Sequence, residues 1–492
     1  MSEGREPDSS EALRPEPVFR LGGLWWFIFA SLGLYFPYYS LYLRENAGLG
    51  ASQVGMIVAT VPLMGIVAQP LWGRLGDRTG SRSRILALIA FGAAVGHVCL
   101  AWPTTFAGYM IATASVAFFG SALAPIAVST SLAHLHPPAE RKYGRVRVMG
   151  TLAFAVSVGT LPFWIDAVTP FRASPAGAAT PALGWIFPLA GLYLLIAAGL
   201  AMALPRHSDS GVRAISGDWR LLFRGSAFAR LLLLTLLAYF LLQGPTVLFP
   251  LLIRAHGGGL EVISQMWLLM IMLEIPLVFW VGTTMDRIGP RGVIAIGLVS
   301  AVVRWGVSGF SENLTWVYAA QILHGVTVWG IVIGIPLYAD RIMPERLRST
   351  GQSLLAMVGI SLGSILSNLT TGILTEHLGP KAPAQLTSVA LLGLLAVELR
   401  VGRLALRLHL RDPLVHLLLV VARRDHRGAL LEHRRPLRAP PLAVFPDVVS
   451  ESEEARLAAE ADKWFARNPY ERGHFDHVIV GYRELERPDG AW

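Results

Sequence analysis

The chain has one cysteine, Cys99, three lysines, and only 15% charged residues over 492 positions. A single cysteine closes no intramolecular disulfide and says nothing about compartment. None of Lys142, Lys381 and Lys463 follows a glycine, which excludes the lysine-bearing phosphate loop of nucleotide hydrolases. His134 and His136 stand together without further ligands, whereas a metal site needs three or four. No metal and no cofactor is therefore expected. The apolar stretches carry no nucleophile motif, so an enzyme is not expected either.

Charge is missing over long runs. Leu21 to Leu43, Asn46 to Gly73, Ile85 to Ala139, Val148 to Ile165, Ala173 to Pro205 and Leu231 to Ile253 contain no Asp, Glu, Lys or Arg. A helix needs roughly 20 apolar residues to cross ~30 Å of hydrocarbon, so these runs predict seven spans. Four more are centred near Glu274, Trp305, Thr327 and Gly363. A twelfth is expected after Lys381, but only Ala384 to Val397 is cleanly apolar before Glu398, Arg400, Arg403, Arg407 and Arg411. The composition, 53% hydrophobic with a mean hydropathy of +0.51, fits a lipid bilayer as solvent. The polar stretch Met1 to Phe19 carries Glu3, Glu6, Asp8, Glu11 and Glu16 where a signal peptide is basic. The first span is expected to stay as an anchor.

Basic residues are distributed unevenly between the connections. With the N-terminus in the cytosol, eighteen Lys and Arg fall in the inner loops, against four outside, namely Arg44, Arg172, Arg254 and Lys381. The positive-inside rule selects that orientation. The net charge of +9 then belongs to the cytosolic face, and no nucleic-acid partner is needed to explain it.

The octet GRLGDRTG at Gly73 to Gly80 recurs as GTTMDRIG at Gly282 to Gly289, each after the second apolar span of a series. Both obey GxxxDRxG: Gly73 and Gly282 permit close helix approach, Asp77-Arg78 and Asp286-Arg287 supply a charge pair, and Gly80 and Gly289 supply a turn. A period of 209 residues suits two half-proteins of about six helices. The expected organisation is a polar tail (1–19), an amino-terminal half (20–204), a cytosolic linker (205–229), a carboxy-terminal half (230–410) and a basic, then charged tail (411–492). A frame change, a fusion or a regulatory tail would all give that last segment its composition.

These residues resemble the major facilitator superfamily. GRLGDRTGSRSR is similar to its loop between helices two and three, and Pro344 to Leu354, PERLRSTGQSL, to its loop before helix eleven. YFPYYSLYL at Tyr35 to Leu43 and YGRVRVMG at Tyr143 to Gly150 resemble the branch of lactose, nucleoside and phenylpropionate permeases. The resemblance covers roughly residues 19–399. It implies an all-α integral membrane fold of two pseudo-symmetric six-helix halves, with an atypical twelfth helix. It also implies a monomeric transporter of a small molecule, driven by protons, in the cytoplasmic membrane of a bacterium. Multidrug efflux is the alternative within transport, although the GPxxGG pattern of drug antiporters is missing from MGTLAFAVSVGT. A membrane sensor without flux is the alternative outside it.

Charges inside the spans indicate mechanism. Glu274, Arg304 and His324 are predicted near the midplane, about 16, 18 and 21 Å from their cytosolic helix ends at ~1.5 Å per residue. Lone charges there cost several kcal/mol and usually pair facing a cavity, so the three are expected to form a proton-coupling set. The competing reading is a static Glu274 and Arg304 ion pair beside a core histidine. The resemblance implies matching Glu, Arg and His positions on helices eight, nine and ten of lactose permease, but its carboxylate one turn later is Thr327 here. It also implies that Arg147 binds substrate, without the partner carboxylate on helix four, where Ser129, Thr130 and Ser131 stand. An Arg without that carboxylate is expected to suit an anionic solute as well as a nucleoside or sugar. Tyr35 and Tyr38 either line the solute cavity or pack in the core.

Overall fold

The computed structural model describes residues 16–410 apart from 80, 137–138, 206–218, 224–225 and 345–346. Twelve helices are long and apolar enough to cross a bilayer: Val18–Glu45, Ala51–Gly76, Arg82–Cys99, Phe106–Ala133, Lys142–Ile165, Pro181–Met202, Ser226–Val247, Leu260–Leu277, Thr283–Phe310, Leu314–Ile342, Arg348–Leu378 and Ala382–Arg400. They are called spans one to twelve. Among the described residues there is no strand. With an even number of crossings, residues 16 and 400 lie on the same side. That side is called the terminal face and the opposite side the far face.

The twelfth span is a regular helix, Ala382–Leu410, despite its short apolar core. Its Leu, Ala and Arg residues are strong helix formers, so helix length outruns hydropathy there. The expected tail 411–492 lies outside the described residues, as does most of the expected linker, of which Trp219–Phe223 forms a short 3-10 turn.

The repeated octets sit where two helices meet. Gly73, Asp77 and Arg78 belong to the last turns of the helix Ala51–Thr79, while Gly80 lies outside the described residues. The second copy breaks an otherwise continuous helix, Leu260–Phe310, at Gly289, whose φ of 76° is left-handed and favours glycine. Asp286 is held by Arg341 at the base of span ten, 2.6 Å away. Arg287 is exposed.

The contacts joining spans one to six with spans seven to twelve cluster toward the far face. Ser40 donates to the Val247 carbonyl at 2.8 Å, and Ser264 donates to the Val158 carbonyl at 2.7 Å. Arg254 meets Glu45 at 2.9 Å and Thr180 at 3.2 Å. Glu376 on span eleven accepts from the backbone N–H groups of Ala51 and Ser52, capping span two. Spans two and eleven touch backbone to backbone: a Cβ on Gly55 would lie 2.5 Å from the Asn368 carbonyl oxygen and 2.9 Å from Gly372 Cα. Small residues at such a crossing let helices close up without a hydrophobic driving force. One ring group closes the seam, Trp267 of span eight lying 5.4 Å from Phe36 and 6.4 Å from Phe154.

Toward the terminal face the apolar cores separate. One cluster, from Leu21 to Leu204, draws only on spans one to six, and another, around Val281, Met285, Val293 and Trp329, only on spans seven to twelve. The bundle is thus shut at the far face and split at the terminal face. Gly372→Val should wedge the shut side apart. In a Cys99→Ser background, labelling of Ser40→Cys by a membrane-impermeant maleimide should rise severalfold when Gly372→Val is added, because Ser40 is buried. Unchanged labelling would show that this crossing does not hold the far face closed.

Candidate functional site

Arg304 is not paired with Glu274. Its Nε donates to Gln321 Oε1 at 2.8 Å, its Nη2 lies 3.8 Å from Met270 Sδ, and its guanidinium stands 4.4 Å from the Trp305 ring centroid. Only 1% of the residue is exposed. Gln321 in turn donates to Ser308 Oγ and the Val317 carbonyl, at 3.1 and 2.7 Å. An amide side chain and aromatic faces, rather than a carboxylate, therefore surround this cation.

Direct packing gives the depths of the three groups. Gly325 rests on the backbone of span eight at Glu274, a Cβ there reaching Glu274 N at 2.7 Å. Glu274 is accordingly level with residue 325. Gly297 packs on Gly330 and Ser300 bonds Thr327 across spans nine and ten, which sets the Arg304 backbone level with residue 323, so the three share one depth while the Arg304 side chain reaches Gln321 and Met270. His324 points toward the seam, its ring 6.4 Å from Trp267, with Nδ1 buried and unpaired.

Glu274 instead faces the other half. Its carboxylate makes no hydrogen bond and no ion pair among the described residues, and Arg147 on span five, beyond ion-pair distance, acts on it only through its charge. Arg147 is likewise half-buried, with Nη1 buried and unpartnered. Its guanidinium stacks 4.0 Å over Phe29 and 4.7 Å over Trp25, which fixes where the plane lies. Trp25 is oriented by its own bond to Ser131 Oγ, 3.0 Å. Among the described residues no carboxylate pairs with Arg147, whose guanidinium rests on the two aromatic faces within range of the Glu274 charge.

The tyrosines separate. Tyr38 is fully buried and donates to the Val158 carbonyl at 3.0 Å, which corrects its expected place among solute ligands. Tyr35 has a buried, unpartnered hydroxyl, stacks on Tyr39 at 4.5 Å and meets the edge of His97 at 4.9 Å. It lines a cavity of about 200 Å³ together with His97 and Ser121. His97 escaped the sequence reading because a neutral histidine does not interrupt a charge-free run. Gln321 escaped for the same reason.

A bundle of twelve helices, shut on one face and split between its halves on the other, is the architecture of a solute carrier. The family profile described as MFS_1 like family matches residues 18–383. The chain belongs to that family. Its relatives include a maltose permease of Geobacillus stearothermophilus, 31% identical over 355 residues, covering 71% of this chain and 86% of that one. A putative nucleoside transporter, YegT, of Escherichia coli is 24% identical, covering 72% and 82%. A probable 3-phenylpropionic acid transporter of the same species is 24% identical, covering 71% and 89%. Among solved structures the nucleoside transporter NupG superposes with a TM-score of 0.67 at 13% identity, covering 78% of this chain and 98% of that one. This last likeness shows the fold alone. The chain is a multi-pass membrane transporter of the major facilitator type and not an enzyme.

The Arg304 environment generates a stability prediction. Gln321→Ala removes the one side-chain oxygen that, among the described residues, is bonded to the buried Arg304 guanidinium, which should cost about 1–3 kcal/mol. Glu274→Gln breaks no hydrogen bond and should cost less. Melting of the purified variants tests the order, and a larger loss in Glu274→Gln would make Glu274 the structural partner.

Proposed function

We propose that this chain is a proton-coupled secondary transporter of a small organic solute, in which Arg147 and Glu274 bind solute and proton together. The observation that carries the reading is an unpartnered guanidinium nitrogen on one half and an unpaired carboxylate on the other. Arg147 Nη1 is buried without a hydrogen-bond partner, and Glu274, which makes no ion pair among the described residues, lies within range of the Arg147 charge.

The physical logic follows from the cost of charge in a dry interior. While the cavity is open, water solvates Glu274 and Arg147. When the halves rock together and shut it, an unbalanced charge costs several kcal/mol, so only electrically neutral arrangements cross readily. Arg147 facing an ionised Glu274 is one. Solute bound to Arg147 with a proton on Glu274 is another when the solute is an anion. A neutral solute with hydroxyl groups bridges the donor fork of Arg147 and the acceptor oxygens of Glu274, leaving the same neutral total. For an anionic solute, binding at Arg147 and protonation at Glu274 are therefore linked and a proton gradient drives the solute, whereas a neutral solute in that bridge crosses without a proton.

The terminal face is assigned to the cytoplasm on the eighteen-to-four distribution of Lys and Arg, which makes this conformation the inward-open one. The bacterial relatives support the cytoplasmic membrane of a bacterium. Both sides of the cavity come from one chain, so a monomer is sufficient. Maltose, nucleosides and 3-phenylpropionate, the solutes named for the relatives, are the first to test.

Two outcomes check this account. Reporters fused after Arg82 and after Arg287 should both read cytoplasmic, and an external signal from either would reverse the orientation. In proteoliposomes, Glu274→Gln should abolish gradient-driven accumulation while sparing exchange of labelled for unlabelled solute, since exchange moves no net proton. Accumulation at the wild-type level in that variant would remove Glu274 from coupling.

A further inference from the structure

We infer that Ser264 and Asn368 select the closed far face, each by donating from the carboxy-terminal half to a backbone carbonyl that a proline has freed in the amino-terminal half. The two bonds bias the conformational equilibrium of the transporter, whichever solute it carries and however transport is driven.

Proline has no N–H, so a proline inside a helix leaves the carbonyl four residues earlier without its helical partner. In hydrocarbon such a carbonyl has to be satisfied from a neighbouring helix. Four prolines of the spans show where these carbonyls turn. Pro125 frees Ser121, which accepts from Gln69 Nε2 at 3.1 Å, and Pro245 frees Leu241, which accepts from Thr387 Oγ1 at 3.1 Å. Both of those donors belong to the same half as the carbonyl. Pro62 in span two and Pro162 in span five behave differently. Pro62 frees Val58, which Asn368 Nδ2 of span eleven reaches at 3.4 Å, and Pro162 frees Val158, which Ser264 Oγ of span eight reaches at 2.7 Å. These two donors cross the boundary between the halves.

Glycines bring the partners within reach. Gly55, one turn before Val58, admits the backbone of span eleven, and Gly159, next to Val158, admits span eight: a Cβ on Gly159 would stand 3.2 Å from Leu268 Cδ1. Ser264 and Asn368 are each 2% exposed, so the bonds are made away from water. Both acceptors lie in one half and both donors in the other. Opening the far face breaks the two bonds together, and closing it remakes them.

The Val158 carbonyl has a second donor. Tyr38 Oη of span one lies 3.0 Å away on the same half, and a carbonyl oxygen has two lone pairs. Tyr38 stays when Ser264 leaves, so opening does not strand that carbonyl. Two side chains on one oxygen therefore act in opposite directions: Ser264 favours the shut far face, and Tyr38 lowers the cost of opening it. Val58 has no second side-chain donor among the described residues, and its carbonyl meets water when the far face opens.

The test reads how often the far face opens, as the rate at which a maleimide labels the buried Ser40→Cys in the purified full chain in detergent, with Cys99→Ser throughout. Ser264→Ala should raise the rate about threefold, the effect of one interhelical hydrogen bond. Pro162→Ala gives Val158 back a helical N–H and should raise it by a similar factor. The double variant should stay near threefold, whereas independent effects would give about ninefold. Asn368→Ala with Pro62→Ala should saturate in the same way. Tyr38→Phe should lower the rate or leave it within about twofold of the parent, and so should Thr387→Ala, which strands a proline-freed carbonyl inside one half. An unchanged rate in Ser264→Ala, or factors that multiply in either proline cycle, would overturn the inference. A threefold rise in Tyr38→Phe or Thr387→Ala would also overturn it, by showing a general loosening of the bundle.

Discussion

A charge placed inside a bilayer-spanning helix must be compensated, and the way this chain compensates its charges organises everything around them. Arg304 is compensated locally and permanently, by Gln321 and by the faces of Trp305 and Phe249. Arg147 rests on the faces of Phe29 and Trp25 and feels the Glu274 charge across the boundary between the two halves without an ion pair. The first solution makes a rigid core. The second makes an interface whose energy depends on how far apart the halves stand and on what lies between them, which a transporter requires.

The rest of the seam is built so that such a small electrostatic term matters. At the far face the halves touch through glycine backbones, single hydrogen bonds and the ring group of Trp267, Phe36 and Phe154. These contacts are individually modest and are all broken together if the far face opens. Spans ten and eleven each carry a widened π-helical stretch, Val328–Ile333 and Leu355–Leu362. Such stretches often mark functional positions in helices. The first lies beside the close crossing of Gly330 with Gly297.

Much of the fold was legible because hydrocarbon thickness sets a length that apolar runs must meet, and the doubled octet dates the second half to the first. The twelfth span was half-hidden because arginines enter its last turns while helix propensity continues to Leu410. The site was less legible. Glu274 and Arg147 stood out as charges in apolar surroundings, but their partnership joins residues 147 and 274, and no local period links them. Arg304 stood out equally, and sequence could not show that Gln321 reaches it first. Tyr35 and Tyr38, three positions apart, read alike as aromatic residues. A break in the first span after Tyr35 sends one hydroxyl to a carbonyl and the other to a cavity.

The most direct measurement is a double-mutant cycle on the stability of the purified, ligand-free protein, with Arg147→Ala, Glu274→Gln and both, compared with the same cycle on Arg304→Met and Glu274→Gln. Removing one member of a pair strands the other, and removing both does not. The account predicts that the Arg147 cycle departs from additivity by at least about 0.5 kcal/mol, with the double variant more stable than the sum of the singles, and that the Arg304 cycle is additive. Additivity for Arg147 with coupling for Arg304 would contradict it, and would return Glu274 to a structural ion pair within one half.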